Sequence, residues 1–253
     1  MTQFTIGADP ELFVQHRTSR KFVSAHNLIP GTKARPFEVE DGAIQVDGVA
    51  AEFNINPVSD REDFRHRLRN VMRQLQDKIW KQNEMYDLAA VPTAYFEKEY
   101  FDGLPKKARL LGCQPDYNAY LGKANPPPAT KEPFRTGSGH VHIGWTRGAD
   151  LTDPQHLETC RSVVRQLDAT VYSASLSWDS DTKRRELYGK MGAFRPCMYG
   201  VEYRPLSNAY LNHDSLILEV YDRTVEALEL LWSGTKLYKE DDIPEEFRYA
   251  SAA

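Results

Sequence analysis

The chain has 253 residues and a formal net charge of −4, with apolar and charged fractions of 41% and 27%. This length holds one large domain or two small ones and buries a sizeable core without covalent staples. A mildly acidic chain gives no reason to expect nucleic acid as a main partner, and it holds a small anionic ligand only where positive charge is focused locally.

No run approaches the ~18 apolar residues of a membrane span, and Met1-Thr2-Gln3-Phe4 has neither the basic nor the apolar region of a secretory leader. The three cysteines, Cys113, Cys160 and Cys197, lack CxxC spacing. An odd count without that spacing argues against a disulfide framework or zinc knuckle and fits a reducing cytoplasm. The expected setting is therefore cytoplasmic, with no membrane or nucleic-acid partner.

Residues 2–15 read as a strand interrupted at Pro10, where proline implies an edge or bulge. Residues 16–42 read as a loop or hairpin excursion turning at Pro30-Gly31, and Ile44 to Asn56 as one or two strands broken near Asp47-Gly48. Ser59 and Glu62 have capping-box spacing, and Phe64, Leu68, Val71, Met72, Leu75 and Ile79 keep helical period to about Trp80.

Residues 88–96 read as a further strand. Residues 97–136 read as irregular, stiffened by Pro126-Pro127-Pro128, and a long irregular segment in a compact domain is often a lid. Asp153-Pro154 opens a second helix with the stripe Leu157, Cys160, Val164, Leu167 and Val171. Residues 178–200 read as an irregular basic segment, and 213–232 as a third helix ending near Gly234. No repeat or linker splits the chain, so 1–235 is expected to be a single domain and 236–253 a charged tail. Single strands with helices between distant ones predict an α+β fold, a mainly antiparallel sheet with helices packed on one face.

Four strand-like segments share one design. Side chains two apart on a strand point the same way. Asp9 and Glu11 form one such pair; Glu52, Asn54 and Asn56 alternate with Phe53 and Ile55; His140 and His142 alternate with Val141 and Ile143 after a Gly-rich turn read as flexible; and Glu202 pairs with Arg204. Each has an ordinary alternative as a solvated strand face or a local salt bridge. If the segments lie in one sheet, one face is packed and the other is a wall of acid, imidazole and guanidinium suited to divalent cations and phosphates. Mg²⁺ and Mn²⁺ prefer oxygen ligands, with imidazole more natural to Mn²⁺, so Asp9, Glu11, Glu52, Glu202 and His140 are candidate ligands of one site.

Arg204 is a candidate phosphoryl clamp. Arg185, Lys190 and Arg195 lie in a Gly-containing segment that resembles a phosphate-gripping loop, although a solvated loop has the same composition. There is no P-loop, GxGxxG turn, HExxH or GxSxG motif, so a bound nucleotide is held by the sheet face and loops.

The motif set Gly7-Ala8-Asp9-Pro10-Glu11-Leu12, Ala51-Glu52-Phe53-Asn54, Gly137-Ser138-Gly139-His140-Val141-His142 and Val201-Glu202-Tyr203-Arg204 resembles the carboxylate–amine ligase superfamily built on the glutamine synthetase fold. More narrowly, it is similar to the phage-type amidoligases called COOH–NH2 ligase type 2. The resemblance implies a glutamine synthetase catalytic-domain-like fold, ATP with Mg²⁺ or Mn²⁺, and small-molecule or peptide carboxylate and amine substrates joined through an acyl phosphate. If the chain is phage-encoded, it implies the host cytoplasm.

The resemblance also puts Asp9, Glu11, Glu52, His140 and Glu202 on the metal side and His142 near the nucleotide. Arg204, Arg195 and Arg185 fall near the phosphates, with Glu52 as one candidate base and Arg204 and Arg195 as catalytic cations. Glutamine synthetases have two acids of one type where this chain has Asp9 and Glu11, and one more residue before the two histidines. They are also far longer, so their substrate pocket and oligomeric ring do not carry over. A phosphotransferase, a metal-dependent hydrolase and a non-catalytic binding protein on the same fold are the alternatives.

Overall fold

The computed structural model of the protein describes residues 4–109, 116–126, 132–239 and 244. Pro127, Pro128, Cys113 and the tail positions 240–243 and 245–253 lie outside the described residues.

In chain order the first elements are β1 (Thr5–Ala8), β2 (Glu11–His16), β3 (Phe22–Val23), β4 (Phe37–Val39), β5 (Gly42–Asp47), β6 (Ala50–Ile55) and α1 (Arg61–Gln82). Next come β7 (Tyr86–Ala89), β8 (Thr93–Tyr95), α2 (Lys98–Gly103), α3 (Lys106–Arg109), β9 (Tyr117–Asn118), β10 (Lys123–Ala124), β11 (Phe134–Thr136) and β12 (Val141–Gly144). The chain continues with α4 (Pro154–Leu167), which runs through a π-turn into α5 (Ser173–Ser175), and then α6 (Thr182–Leu187), β13 (Ala193–Cys197), β14 (Gly200–Tyr203) and α7 (Asp214–Trp232).

The described residues form an α+β structure in which every strand pairing is antiparallel. The strands do not lie in one sheet, as the shared design of the four segments led us to expect. One sheet has the order β1-β12-β14-β13-β9-β10; a second has β3-β2-β6-β5-β4 with β7 beside β2; β8 and β11 make a separate ribbon. The chain crosses from the first sheet to the second at Asp9-Pro10, between β1 and β2. Proline cannot continue a ladder as a donor, so the break at Pro10 is the place where the chain changes sheet. The two sheets are stitched beside this crossing by the Ile6–Val58 pair, with N–H···O distances of 2.7 and 2.9 Å.

The helices cover the apolar side. α1 packs on β1, β5, β6 and β7, α4 on β13 and β14, and α7 on α1 and α4. Phe64, Leu68, Val71, Leu75 and Ile79 of α1 share one core with Phe53 and Ile55 of β6, Val141 and Ile143 of β12, and Val201 and Tyr203 of β14. The polar members of each alternation therefore lie on the opposite side.

Three expectations need correction. α1 is capped by Asp60, whose carboxylate accepts from the Glu62 and Asp63 amides at 2.8 and 3.0 Å, and not by Ser59, which bonds the Phe4 carbonyl. Asp is as good a cap as Ser, so adjacent candidates are not separable by residue type. The described part of 97–136 is not irregular throughout: it holds α2, α3, β9, β10 and β11, and Phe101 and Ala108 are buried against Phe13 and Phe96. The basic segment 178–200 holds α6 and β13. The helix opening at Pro154 begins where its Asp153 cap predicts, the helix Asp214–Trp232 falls within the expected 213–232, and Thr235 and Leu237 dock on the Gln166 side chain. Among the described residues no helix is long and apolar enough to cross a membrane.

Candidate functional site

The site is built on the seam between the sheets. Register places Gly7 opposite His142, His142 opposite Glu202, and Glu202 opposite Arg195 across β1, β12, β14 and β13. Directly opposed residues project to the same face, so strands far apart in sequence present one row of imidazole, carboxylate and guanidinium. The second sheet adds its own carboxylates, with Glu11 opposite Glu52 and Gln45 opposite Glu52 on the other side. The Gly137–Gly139 turn then delivers His140. Its glycines serve close packing and not flexibility: a Cβ on Gly137 would lie 2.4 Å from Asn208 Nδ2, and one on Gly139 2.2 Å from the Ser207 carbonyl. Ser138 locks the turn to β2, its amide donating to Glu11 Oε2 at 2.9 Å while its carbonyl accepts from the Glu11 amide at 2.8 Å.

Two acid clusters result where the spacing predicted one. In the first, Asp9 Oδ1 lies 2.9 Å from His142 Nε2 and 3.3 Å from His140 Nδ1, and His140 Nδ1 lies 3.2 Å from Glu202 Oε1. In the second, oxygens of Glu11, Asp47 and Glu52 lie within 4.8 Å of one another. Asp47 was read only as a turn residue. The period-two rule, applied from Gln45 across the Asp47-Gly48 hairpin, puts it on the Glu52 face and was the signal that could have found it.

Electrostatics separate the two clusters: the histidines offset the charge of Asp9 in the first, whereas like charges crowd the second. Burial alone raises the Asp9 carboxyl, but the flanking His142 and His140 pull it well below the usual range. Burial and then Asp9, Glu11 and Asp47 push the Glu52 carboxyl well above its ordinary value, and burial and Asp47 raise Glu11. Lys33 Nζ, 2.5 Å from Asp47 Oδ2, supplies one positive charge at the cleft wall.

The donor set fits a divalent ion. Asp9 Oδ1, His140 Nδ1, His142 Nε2 and Glu52 Oε2 are buried atoms that make no hydrogen bond, and crowded acids with such orphaned atoms are what a cation relieves.

Glu202, fully buried, is gripped from both sides. Arg195 Nε donates to its Oε2 at 2.6 Å, and Arg204 Nη1 donates to its Oε1. Arg204 Nη2 donates to the Tyr188 hydroxyl, which sits 3.2 Å from His140 Nε2. Arg195 belongs to β13 and not to a loop, which is why it reaches the site.

Its two neighbours in sequence do not reach it. Arg185 is tied to Asp179, donating to that residue's carbonyl at 3.0 Å, and Lys190 is exposed in the turn before β13; neither lines a cleft. A basic loop composition says nothing about which way each side chain points. Arg184 is wholly buried and donates to the Pro205 and Leu206 carbonyls at 2.6 Å, and burial lowers it to about 10.

Two clefts open on either side of this wall, and Asp9 and Glu52 line both. One, of about 660 Å³, also takes in Lys33, Arg135, Ser138, Arg195 and Arg204. The other, of about 1020 Å³, is more apolar, with Gly7, Ile55, Pro57, Gly144 and Tyr199 beside the amides of Asn54 and Asn56. Tyr199 and Tyr188 both touch a histidine, and no spacing in the sequence pointed to either.

The raised Glu52 carboxyl has a testable cost. Unfolded, such a group ionises near its ordinary value of 4.5, whereas the folded chain keeps the proton to higher pH. Stability is therefore lost as pH rises from about that value through the folded one. In the metal-free protein, Glu52→Gln is expected to add about 0.5–2 kcal/mol at pH 7 and nothing at pH 4, read from urea midpoints. Equal or lower stability at pH 7 contradicts the crowding.

No protein-family model matches the chain, and a search of curated proteins finds no match.

Proposed function

We propose that the protein is an ATP-dependent carboxylate–amine ligase with a glutamine synthetase-like catalytic domain, forming an amide or peptide-like bond through an acyl phosphate. The observation that carries this reading is a single wall of carboxylates and imidazoles, Asp9 and Glu52 at its centre, with a separate cleft on each side. A reaction joining a nucleotide's γ-phosphate to an acid needs two approach routes to one cationic centre, and the wall offers both.

The more apolar cleft suits a nucleoside: Ile55 and Pro57 offer packing surface and Asn54 and Asn56 offer amides. The cleft with Lys33, Arg135, Arg195 and Arg204 suits the carboxylate and the incoming amine. Mg²⁺ or Mn²⁺, held by Asp9, His140 and Glu202 on one side and by Glu11, Asp47 and Glu52 on the other, would supply Lewis-acid stabilisation of phosphate charge.

The remaining roles belong to side chains. Arg204 and Arg195 face charge that spreads over the transferring group. Glu52, which lines both clefts, is one candidate to accept the proton of the attacking amine.

Oxygen transfer tests the chemistry. A carboxylate that attacks the γ-phosphorus leaves one of its oxygens on phosphate when the amine displaces it. With an ¹⁸O-labelled carboxylate, one label per product is expected in inorganic phosphate, and only with amine, ATP and metal all present. Unlabelled phosphate during amide formation removes the acyl-phosphate route. Phosphate release with no dependence on any amine, in a broad pool of amines and carboxylates scored by mass, favours a hydrolase.

A further inference from the structure

We propose that the outer end of the more apolar cleft selects adenine: the ring lies on a floor left bare by Gly7 and Gly144, and Asn54 and Asn56 read its edge. The inference rests on the nucleotide placed in this cleft above and adds which residues choose its base.

The floor is the first support. Gly7 of β1 and Gly144 of β12 both line the cleft, and register sets them on neighbouring rungs, Gly7 against His142 and Gly144 against Thr5. Residues so related face the same way. Neither glycine has a positive φ. Gly137 and Gly139 are glycines because other groups press on them, but Gly7 is not. A Cβ on Gly7 would stand 3.7 Å from the His142 Cβ and 3.8 Å from the Ile55 carbonyl oxygen and the Pro57 Cβ, all ordinary contacts. At Gly144 the one close neighbour of such a Cβ is the Thr5 hydroxyl, at 2.7 Å. Glycine inside a strand weakens it and marks close approach of a backbone or a ligand. With no backbone in close approach at Gly7, a ligand is the remaining cause.

The walls suit a flat ring. Pro57 stands beside Gly7, and the ring of Tyr199 beside Gly144, its Cδ2 3.9 Å from the Cβ position. The Tyr199 hydroxyl is held by His142 Nδ1, and the residue is 39% exposed, so its ring has surface to offer. Arg67 fixes the other wall by donating to the Asn56 and Pro57 carbonyls at 3.3 and 3.5 Å. Gly144 lies two residues beyond His142 and Gly7 two before Asp9, about 7 Å along each strand. A base on this floor therefore leaves the Asp9–His142 end for its phosphates.

The edge sets the choice. Asn54 and Asn56 line the same cleft, and their side-chain amides bond no other described residue. A carboxamide offers a donor beside an acceptor, the complement of adenine's amino group and the ring nitrogen next to it. Guanine shows two acceptors on its corresponding edge, which call for arginine or lysine. Among the described residues, the charged or titratable groups lining this cleft are Asp9, Glu52, His142 and Tyr199, with no arginine or lysine.

Equilibrium dialysis of the full chain with radioactive ATP and Mg²⁺, competed by GTP and by inorganic tripolyphosphate, tests this. ATP is expected to bind about 10- to 100-fold more tightly than GTP, and Asn54→Ala combined with Asn56→Ala to bring the two within about threefold. Gly7→Ala is expected to weaken ATP by about 10- to 100-fold while tripolyphosphate binds as before. Its melting temperature without nucleotide should equal or exceed that of the wild type, because alanine tolerates this φ and restricts the unfolded chain. Wild-type ATP affinity in Gly7→Ala, a lowered melting temperature in that variant, or an ATP-to-GTP ratio unchanged by the two asparagine substitutions overturns the proposal and leaves the ligase reading standing. So does tripolyphosphate binding as tightly as ATP. Absence of any ATP binding in the wild type overturns both.

Discussion

Glu202→Ala is expected to destabilise the protein by about 3–5 kcal/mol, the cost of removing one partner from a buried ion pair. The Glu202 side chain is fully buried, Arg204 is 5% exposed, and both guanidiniums spend hydrogen bonds on this one carboxylate. Removing it leaves two cations facing each other in a site with little water. The remaining anions are Asp116, whose oxygen is 3.6 Å from Arg204 Nε, and Asp9, whose charge acts on Arg195. In a chain of this size the loss corresponds to a fall of roughly 10 °C in melting temperature, measured by calorimetry on the metal-free protein.

Glu202→Gln preserves the volume and one acceptor oxygen, so its loss should be smaller but still clear. If both variants melt within about 2 °C of the wild type, water or movement of the arginines has replaced the carboxylate, and the buried triad is not a structural element. The same experiment separates folding from function. Glu202 closes the core end of the candidate site, so any activity measured on its variants has to be read after stability is known.

The sequence made the local chemistry of this site legible and left its assembly hidden. Period two brought out the alternation of Glu52 with Phe53 in β6, of His142 with Val141 and Ile143 in β12 and of Glu202 with Val201 and Tyr203 in β14, because the pleat enforces it, whereas Asp9, His140 and Arg204 lie just outside the strands and Asp9 and Glu11 are divided between two sheets. Period 3.6 with Asp153-Pro154 and the stripe after Asp60 fixed the long helices, since their burial follows directly from spacing. Spacing carries no information on which strand lies beside which. The register that sets His142 against Glu202 and Glu202 against Arg195 joins residues 60 positions apart in one case and seven in the other, and only the folded sheets decide it.

The same limit split the expected single sheet in two at Pro10 and put the acids into two clusters. Lys190 and Arg185 line neither of the two clefts, for a related reason. Composition marks a segment as basic, but helix α6 and the turn after it decide where each side chain goes. Tyr188 and Tyr199 were invisible because a tyrosine in a turn has no periodic signature, and its value here lies wholly in the histidine it meets.

On the ligase reading, Arg204→Lys is expected to lower turnover by about 10²- to 10³-fold, the usual effect of removing one preorganised donor from developing charge, while changing ATP affinity by less than about threefold. Arg204 is held rigidly before any substrate arrives: Nη1 bonds Glu202, Nη2 bonds Tyr188, and the ring of Tyr188 lies 5.2 Å below the guanidinium carbon. Its Nε is buried without a hydrogen bond, and the residue lines the cleft that also holds Arg195. Across that edge stands Asp116, its Oδ2 3.6 Å from Nε.

Lysine keeps the charge and one bond to Glu202, so the fold should survive. It cannot reproduce a planar fork that satisfies a carboxylate, a phenol and a third acceptor at once. An interaction that matures only as phosphoryl charge spreads lowers turnover and leaves ground-state binding intact. Single-turnover rates alongside equilibrium ATP binding resolve the two. Unchanged turnover makes Arg204 a purely structural partner of Glu202. Loss of ATP binding at normal single-turnover rate, with nucleotide saturating, moves it from the transferring group to the resting nucleotide. Only a turnover defect with intact binding and a melting temperature near wild type places Arg204 at the reacting phosphate.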